Sequence, residues 1–558
     1  MQKIKDNIFE ILTIATAILG CTAFWYCHGN ISTDVGREAM MSLSVLNGEI
    51  LYKNILNIYA PMSYYINALF MWVFGVRLET LYLSGALCSI IFLFTLFKIS
   101  NKFFKKPLSF AMTLFVATTC IYNSRLYNFI LPYSYGVIFG LTFYAISLYF
   151  LLNYKDTKTC KDLCLCSAFA GIAFANKIEF LPIFLITLIV LFINKAEIKK
   201  ILLSVSTFLI APIIFYGIPF IQGLTIEDAI YALDIFKKSS VVPSIVEFAK
   251  QTGALFRGED VIFWGVSIIL CGMFLLISAG LFKTAKNKML LFVAFLITAV
   301  VHFISKGETH FTYLPVATAI IVIWQYKNLV KHPKVLILTM VSIGASLKTF
   351  FYLNTDEYGA YTLPLLLVSA FAMLFLFEEK ISEKIKFSLS KFSVFVLLAA
   401  SLSNCCYAAQ QLNLYNTKII TEKGRIDTRA DWANCANSLI KYIEENTSPD
   451  DKILFLQEGA LFNFLSERPT DMRIYALNMP YIETYGEEKI VEIIKSADFK
   501  YITILDGFGL YEFNRPKYYF SENSITKYIR NEYTPIYAER TQSNDSAVIL
   551  KKKQSRIP

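Results

Sequence analysis

Residues 31–75, ISTDVGREAMMSLSVLNGEILYKNILNIYAPMSYYINALFMWVFG, separate the first apolar run of the chain, residues 8–27, from the second, residues 79–98. The last part of this stretch, PMSYYINALFMWVFG over residues 61–75, is apolar enough to suggest a membrane span. Whether it crosses decides the orientation of everything that follows. A crossing would put Lys98, Lys102, Lys105 and Lys106 outside and invert every later basic connection, against the tendency of lysine to stay on the cytoplasmic side. Residues 61–75 are therefore expected to form a helix in or on the outer interface, where Tyr64, Tyr65 and Trp72 suit the headgroup region.

The rest of the 558 residues follows the same pattern. Hydrophobic residues make up 55% and charged ones 17%, too apolar for a set of soluble domains. A helix needs about 20 apolar residues to cross a core of ~30 Å. Runs of suitable length fall at 8–27, 79–98, 107–122, 132–153, 162–176, 178–194, 200–221, 260–282, 289–304, 310–326, 335–353, 360–377 and 392–409. They predict a polytopic α-helical membrane protein of about 13 transmembrane helices. No A-x-A-like site follows the first run, so it is expected to be retained with its N-terminus cytoplasmic.

Lysines cluster in alternate connections: Lys98 to Lys106, Lys155 to Lys161, Lys195 to Lys200, Lys283 to Lys288, Lys327 to Lys334 and Lys380 to Lys391. These are expected inside. Residues 28–78, 123–131, 222–259, 305–309 and 354–359 are poorer in basic residues and are expected outside, with the chain beyond residue 410. The net charge of +10 is thus spent on topology, and nucleic acid is not an expected partner. The expected location is the cell (inner or plasma) membrane, among membrane lipids. The 11 cysteines follow no metal spacing, and Cys435 is alone in the tail, which excludes a disulfide framework there.

Two domains are expected: residues 1–409 in the membrane and residues 410–558 as a soluble extracytoplasmic α/β domain. The tail alternates helical patches (429–446, from Ala460, from Glu487) with strand-like ones (from Lys452, from Tyr501, near Ile536 and Val548), which predicts a partly parallel sheet. No glycine-rich phosphate fingerprint opens any of its helices.

Chemistry concentrates in the loop quoted above. Asp34 follows the first run by a few residues, with Arg37 and Glu38 on the next helical turn. A carboxylate held at the membrane surface suits removal of a proton from an attacking hydroxyl. The structural alternative is an N-cap, in which Ser32, Thr33 or Asp34 caps a helix starting near Val35. Asp34 and Glu38 are also spaced to share a divalent cation, although no dedicated metal motif is present.

The loop's D-x-x-x-E-A pattern, its Asn47-Gly48 and Tyr52, the Y-A-P-M-x-Y-Y of Tyr59 to Tyr65 and the closing Phe74-Gly75 resemble a known family. It is similar to the GT-C polyprenyl-phosphate-sugar glycosyltransferases (glycosyltransferase family 39-like), the branch of protein O-mannosyltransferases and the lipid A aminoarabinose transferase. Ala175 to Glu179 followed by Leu181-Pro182, and His310 to Pro315, resemble further segments of that family, as does the tail around residues 431–469. Glu179 departs from the family's usual glycine, and Asn128 stands where a second acidic residue is expected. The resemblance implies an enzyme of the hexosyl or pentosyl transferase class (EC 2.4) with a polyprenyl-phosphate-linked sugar as donor and a lipid, protein or glycan hydroxyl as acceptor. It implies Asp34 as catalytic base and residues 61–75 as a juxtamembrane helix.

Cations aimed at the leaving phosphate would stabilise its charge. The candidates are Lys53, Arg125, Lys177, Lys306 and His310, all at expected outer ends. Lys306 reads more simply as a snorkelling lysine, Lys177 with Glu179 as an ion pair in a tight turn, and His310 as a packing or capping residue. Glu38, Tyr52, Tyr59 and Glu179 are secondary candidates, the tyrosines as interfacial aromatics or sugar platforms. Acceptor choice is expected in residues 222–259 and the tail. The rival classes are a secondary transporter, against which the outer placement of ionisable residues and the lack of an internal repeat argue, and a noncatalytic scaffold of the same superfamily.

Overall fold

The computed structural model describes residues 7–28, 34–124, 128–238, 241–251, 258–305, 314–347, 363–456, 458–475, 477, 479–506, 523–540 and 546–553. The chain opens with α1 (Ile8–Ala23), then two short helices, α2 (Val35–Leu46) and α3 (Met62–Phe74), fill the first long connection. Helices α4 (Leu78–Ser100), α5 (Lys106–Cys120), α6 (Tyr135–Thr157), α7 (Cys160–Asn176), α8 (Pro182–Ile193) and α9 (Ile198–Ile221) follow. Three short helices, α10 (Ile226–Ala232), α11 (Asp234–Lys238) and α12 (Pro243–Gln251), fill the second long connection. The bundle closes with α13 (Glu259–Thr284), α14 (Lys288–Ile304), α15 (Leu314–Lys331), α16 (Pro333–Ala345), α17 (Leu363–Phe375), α18 (Glu378–Ile385) and α19 (Leu389–Leu414).

Among the described residues, 5 helices are long and apolar enough to cross a membrane: α4, α6, α9, the Trp264–Thr284 part of α13, and α19. Other expected spans are shorter. The run at 178–194 begins with a 3-10 turn, Ile178–Phe180, and becomes α-helical only at Pro182, which lacks the N–H an interior position would need. Helix α3 has 13 residues, about 20 Å at helical rise and too little for the hydrocarbon core. It is a separate helix where residues 61–75 were expected to form one. The amphipathic α18, inside a connection read only as basic, was not anticipated.

Lipid is the solvent that accounts for the exposed residues. Ile213 and Ile221 on α9 and Leu276 on α13 lie bare, and such apolar area is unfavourable in water. The lysine-rich connections meet one another: Glu10 pairs with Lys98 and Lys106 at 3.6 and 3.3 Å, and Lys334 with Asp156 at 2.6 Å. Of the lysine-poor ones, described residues of 28–78 and 222–259 meet the tail.

The tail begins with an antiparallel hairpin, β1 (Thr417–Thr421) and β2 (Gly424–Thr428), that the sequence did not signal. Helix α20 (Ala430–Asn446) leads to β3 (Ile453–Leu456), α21 (Ala460–Ser466), α22 (Met479–Tyr485), α23 (Glu487–Ala497), β4 (Tyr501–Asp506), α24 (Ser524–Glu532), β5 (Tyr533–Arg540) and β6 (Ser546–Lys552). The sheet has order β3-β4-β6-β5, with β3 and β4 parallel and the other pairs antiparallel. The partly parallel sheet is thus present, and strand β3, at one edge of it, is nevertheless buried along its whole length, with the Ile453 N–H donating to the Pro469 carbonyl of the chain that covers that edge.

Docking of the tail on the bundle is extensive. The hairpin reaches α1 and α4: the His28 N–H donates to the Asp427 carbonyl at 2.9 Å and the Leu78 N–H to that of Lys423 at 2.8 Å. The Leu56 N–H donates to the Arg473 carbonyl at 2.8 Å, and the Ser44 and Tyr475 hydroxyls share a hydrogen bond of 2.7 Å. Helix α22 packs on residues 222–259, where the Tyr485 hydroxyl donates to the Ala232 carbonyl at 3.0 Å. The tightest approach is between α2 and α21. A Cβ on Gly36 would lie 2.0 Å from the Leu461 nitrogen, so only glycine lets the two backbones touch.

Replacing Gly36 with alanine is expected to push α21 off α2. Overpacking of this kind costs about 1–3 kcal/mol, and the loss should appear as a lower thermal midpoint and faster limited proteolysis between residues 410 and 460. An alanine variant as stable and protease-resistant as the parent would contradict this packing.

Candidate active site

Asp34 stands at the start of α2 with φ 65° and ψ −45°, a left-handed conformation that costs a non-glycine residue energy and that clusters at functional sites. It occupies the N-cap position, yet its side chain makes no capping hydrogen bond. The carboxylate turns instead to Arg37, with Oδ1 and Nη1 2.5 Å apart. The capping alternative is therefore right about position and wrong about the side chain, and Ser32 and Thr33 lie outside the described residues.

Arg37 organises the site. Its Nη2 lies 3.4 Å from Glu38 Oε1 and donates to the Tyr133 carbonyl at 3.1 Å, and its guanidinium stands 4.7 Å from the centre of the Tyr59 ring. The buried Arg37 Nε has no acceptor among the described residues. Glu38 is wholly buried and takes a long hydrogen bond, 3.4 Å, from the Tyr135 N–H. The two carboxylates thus share a guanidinium. No group of three His, Cys, Asp or Glu side chains among the described residues is arranged to hold a metal.

Lys177 arrives from the other side, in the turn between α7 and the 3-10 turn. Its ammonium is 3.5 Å from Glu179 Oε2 and donates to the Tyr133 hydroxyl at 3.4 Å. Tyr133 therefore bridges Arg37, through its carbonyl, and Lys177, through its phenol. Lys177 is close enough for its charge to act on Asp34. The segment is seated by backbone: a Cβ on Gly136 would fall 2.8 Å from the Asn176 carbonyl oxygen.

The other expected residues are placed as follows. Lys53 lies apart from the cluster, donating to the Gly223 carbonyl at 2.8 Å, and so ties the first long connection to the second. Tyr52, also at positive φ, donates its hydroxyl to the Tyr59 carbonyl at 2.7 Å and holds Tyr59 under Arg37. Arg125, Lys306 and His310 lie outside the described residues.

Asn128, where a carboxylate was expected, serves the scaffold. Its Oδ1 accepts from the Ile130 and Leu131 N–H groups at 2.7 and 3.2 Å, while Nδ2 is 2.8 Å from His28 Nδ1. Burial pushes His28 down to about 3, so the ring is neutral and its Nδ1 accepts from the amide. This brace fixes the 129–135 segment whose Tyr133 carbonyl and Tyr135 N–H hold Arg37 and Glu38. A close backbone approach supports it, since a Cβ on Gly85 would meet the Ile130 carbonyl oxygen at 2.1 Å. Tyr135 was missed in the sequence because it contributes through its backbone N–H, and Tyr133 because its carbonyl and phenol join Arg37 and Lys177 only in the folded chain.

Burial raises the Asp34 carboxyl, while Arg37 and Lys177 pull it back. Burial also raises Glu38, from 4.5 to about 7, against the opposing charge of Arg37. Burial thus raises both carboxyls of the pair, Glu38 to near neutrality, while the charge of Arg37 opposes the rise in each.

The family description "Dolichyl-phosphate-mannose-protein mannosyltransferase" matches residues 59–219, which contain Tyr59, α3, Tyr133 and Lys177. No curated protein matches at the level of sequence. In structure, the chain is similar to the archaeal oligosaccharyltransferase AglB from Archaeoglobus fulgidus, solved with an inhibitory peptide and a dolichol-phosphate. The identity is 13%, the TM-score 0.50, and the match covers 100% of this chain and 75% of that one. It is also similar to ArnT from Cupriavidus metallidurans bound to undecaprenyl phosphate, at 10% identity and TM-score 0.48, over 97% and 98% of the two chains. The fold, with its small C-terminal sheet domain, is thus similar to that of AglB, and the family matched over residues 59–219 is of the kind that the resemblance implied.

The raised Glu38 carboxyl gives a pH signature. The folded chain holds this proton more tightly than the unfolded one, so Glu38 contributes stability that is fully present below about 4.5 and lost as pH rises through about 7. The thermal midpoint of the parent relative to Glu38→Gln should fall across that window; a constant difference would contradict a buried, neutral Glu38. Asn128→Asp is expected to destabilise by about 1–3 kcal/mol, because His28 Nδ1 loses its donor and a carboxylate is buried, with denaturation midpoints as the check.

Proposed function

We propose that this chain is an integral-membrane glycosyltransferase that moves a sugar from a polyprenyl-phosphate donor to an acceptor hydroxyl at the outer face of the membrane, with Asp34 as base. The observation that carries the proposal is the buried Asp34–Arg37–Glu38 cluster facing Lys177, inside a GT-C fold whose residues 59–219 match a lipid-linked mannosyl transferase family.

In the proposed reaction the acceptor oxygen attacks the sugar C1 while its proton passes to an Asp34 oxygen. The bond from C1 to the phosphate oxygen breaks, and polyprenyl phosphate leaves with the electron pair. The charge of Lys177 reaches the base, and this cation suits the charge that grows on the leaving phosphate. The undirected Arg37 Nε–H is a second donor available to substrate. Arg37 also opposes the rise that burial imposes on the Asp34 carboxyl, and Tyr133 sets the spacing of both cations. The bilayer supplies the donor: its polyprenyl chain lies among the lipids while the phosphate sits at the interface. The crowding of the tail onto the lysine-poor connections supports placing chemistry and tail on the outer side. A hydroxyl acceptor fits better than a phosphate, which would need little help from a base.

Purified protein should release polyprenyl phosphate from at least one of the polyprenyl-phosphate-linked sugars mannose, glucose and aminoarabinose. Asp34→Asn, still folded by size-exclusion chromatography, should lose about 10²- to 10⁴-fold in that rate. Unchanged turnover in the variant would remove Asp34 as base. Absence of release from every donor by the parent would remove the transferase reading.

A further inference from the structure

Helices α7 and α9 run side by side in the same direction. The Ser167 and Ser204 hydroxyls share a hydrogen bond of 2.6 Å. Four residues further along each helix, a Cβ on Gly171 would meet the Phe208 carbonyl oxygen at 2.0 Å. Equal steps back from these two contacts bring the start of α7, at Cys160, level with the start of α9, at Ile198. The segments that lead into the two helices, 155–162 and 194–200, are therefore neighbours, and side chains tie them together. The Lys155 ammonium donates to Asn194 Oδ1 at 3.4 Å, and Ala196 and Ile201 pack on the buried cluster of Tyr154, Leu163 and Leu191.

This joint holds six lysines against three carboxylates, Asp156, Asp162 and Glu197. Two of the carboxylates are engaged. Asp156 pairs with Lys334 at 2.6 Å, and Asp162 accepts from the Thr159 hydroxyl at 2.8 Å. Among the described residues, Lys158, Lys161, Lys195, Lys199 and Lys200 make no ion pair. Lys158 lies instead over the Tyr154 ring, 5.4 Å from its centre. Burial, with the charges of Lys155 and Lys200, pulls its ammonium below the ordinary lysine range, and Asp156 opposes them. Cations gathered in this way repel one another, and a bound anion relieves the repulsion.

The same joint borders apolar surface. Phe192 and Ile193, just before the second segment, are 80% and 72% exposed. On α9 the face that carries Lys200 continues with Leu203, Thr207 and Ile214 at helical spacing, all half-buried or exposed. A ligand that answers both surfaces has an acidic head and apolar chains. A soluble anion would leave the apolar faces bare, and a neutral lipid would leave the lysines unanswered.

We propose that the joint between 155–162 and 194–200 binds an anionic phospholipid, with its phosphate among Lys155, Lys158 and Lys200 and its acyl chains along the open faces of α8 and α9. The site is at the far end of α7 from Lys177, about 25 Å away along its 17 residues, and does not depend on the transferase reading.

The test titrates the full chain in detergent with dioleoyl phosphatidylglycerol or dioleoyl phosphatidylcholine and counts bound lipid by native mass spectrometry. The parent is expected to bind the phosphatidylglycerol at least about 30-fold more tightly, the effect of two or more lysines on an anionic headgroup. Lys158→Gln combined with Lys200→Gln should remove most of that preference, while Lys158→Arg combined with Lys200→Arg should keep it. Lys441→Gln combined with Lys489→Gln changes the net charge equally but in the tail, and should bind as the parent does. Millimolar inorganic phosphate should leave the lipid bound. Equal binding of the two lipids by the parent, an undiminished preference in the Lys158/Lys200 glutamine pair, or the same loss in the tail pair would overturn the site. Displacement of the lipid by inorganic phosphate would assign the lysines to a free anion and overturn the lipid.

Discussion

The Arg37 guanidinium, buried between the Asp34 and Glu38 carboxylates, is the interaction on which the site depends. Two carboxylates four residues apart on a short helix repel, and burial makes their charges costlier. One planar cation that reaches both makes the arrangement tenable. The protein then surrounds the cation with the Tyr133 carbonyl, the Tyr59 ring and, from the next turn of chain, Lys177. Truncating one member of such a set commonly costs about 3–5 kcal/mol, because it leaves an uncompensated charge.

Much of the fold serves to hold this cluster at the membrane surface. Helix α2 is only 12 residues long, below the length at which an isolated helix is stable. It is held by α3 beneath and α21 above. The 129–135 segment presents backbone groups to Arg37 and Glu38 and is itself fixed by Asn128, His28 and, through the Asp427 carbonyl, the tail hairpin. Tail, first long connection and 129–135 segment are therefore mechanically one unit, which fits a site that must exclude water from the donor while admitting an acceptor.

The helical architecture was legible because lipid leaves a coarse code: long apolar runs, and between the first two of them a separate short helix within 61–75. The alternation in the tail was legible too, since strands at Ile453 and Tyr501 and helices at Ala430, Ala460 and Glu487 carry clear periodicities. Asp34 and Lys177 could be picked out as chemical side chains, and the structure brings their charges together. Lys53 could not be told apart from them, because a lysine that ties Gly223 and one that faces a phosphate look alike in sequence. Tyr135 acts through its backbone N–H, Tyr133 through its carbonyl and its phenol, and Asn128 through an amide bracing a histidine 100 positions away. These features depend on tertiary placement, which no local pattern encodes.

The proposed reaction requires one geometry: donor phosphate beside Lys177 and sugar C1 facing Asp34. A structure of the Asp34→Asn protein with an uncleaved polyprenyl-phosphate sugar measures this directly. The account predicts the phosphate within hydrogen-bond reach, about 2.7–3.2 Å, of the Lys177 ammonium, and C1 open toward residue 34. A phosphate bound away from Lys177, or a sugar whose C1 faces away from α2, would contradict it.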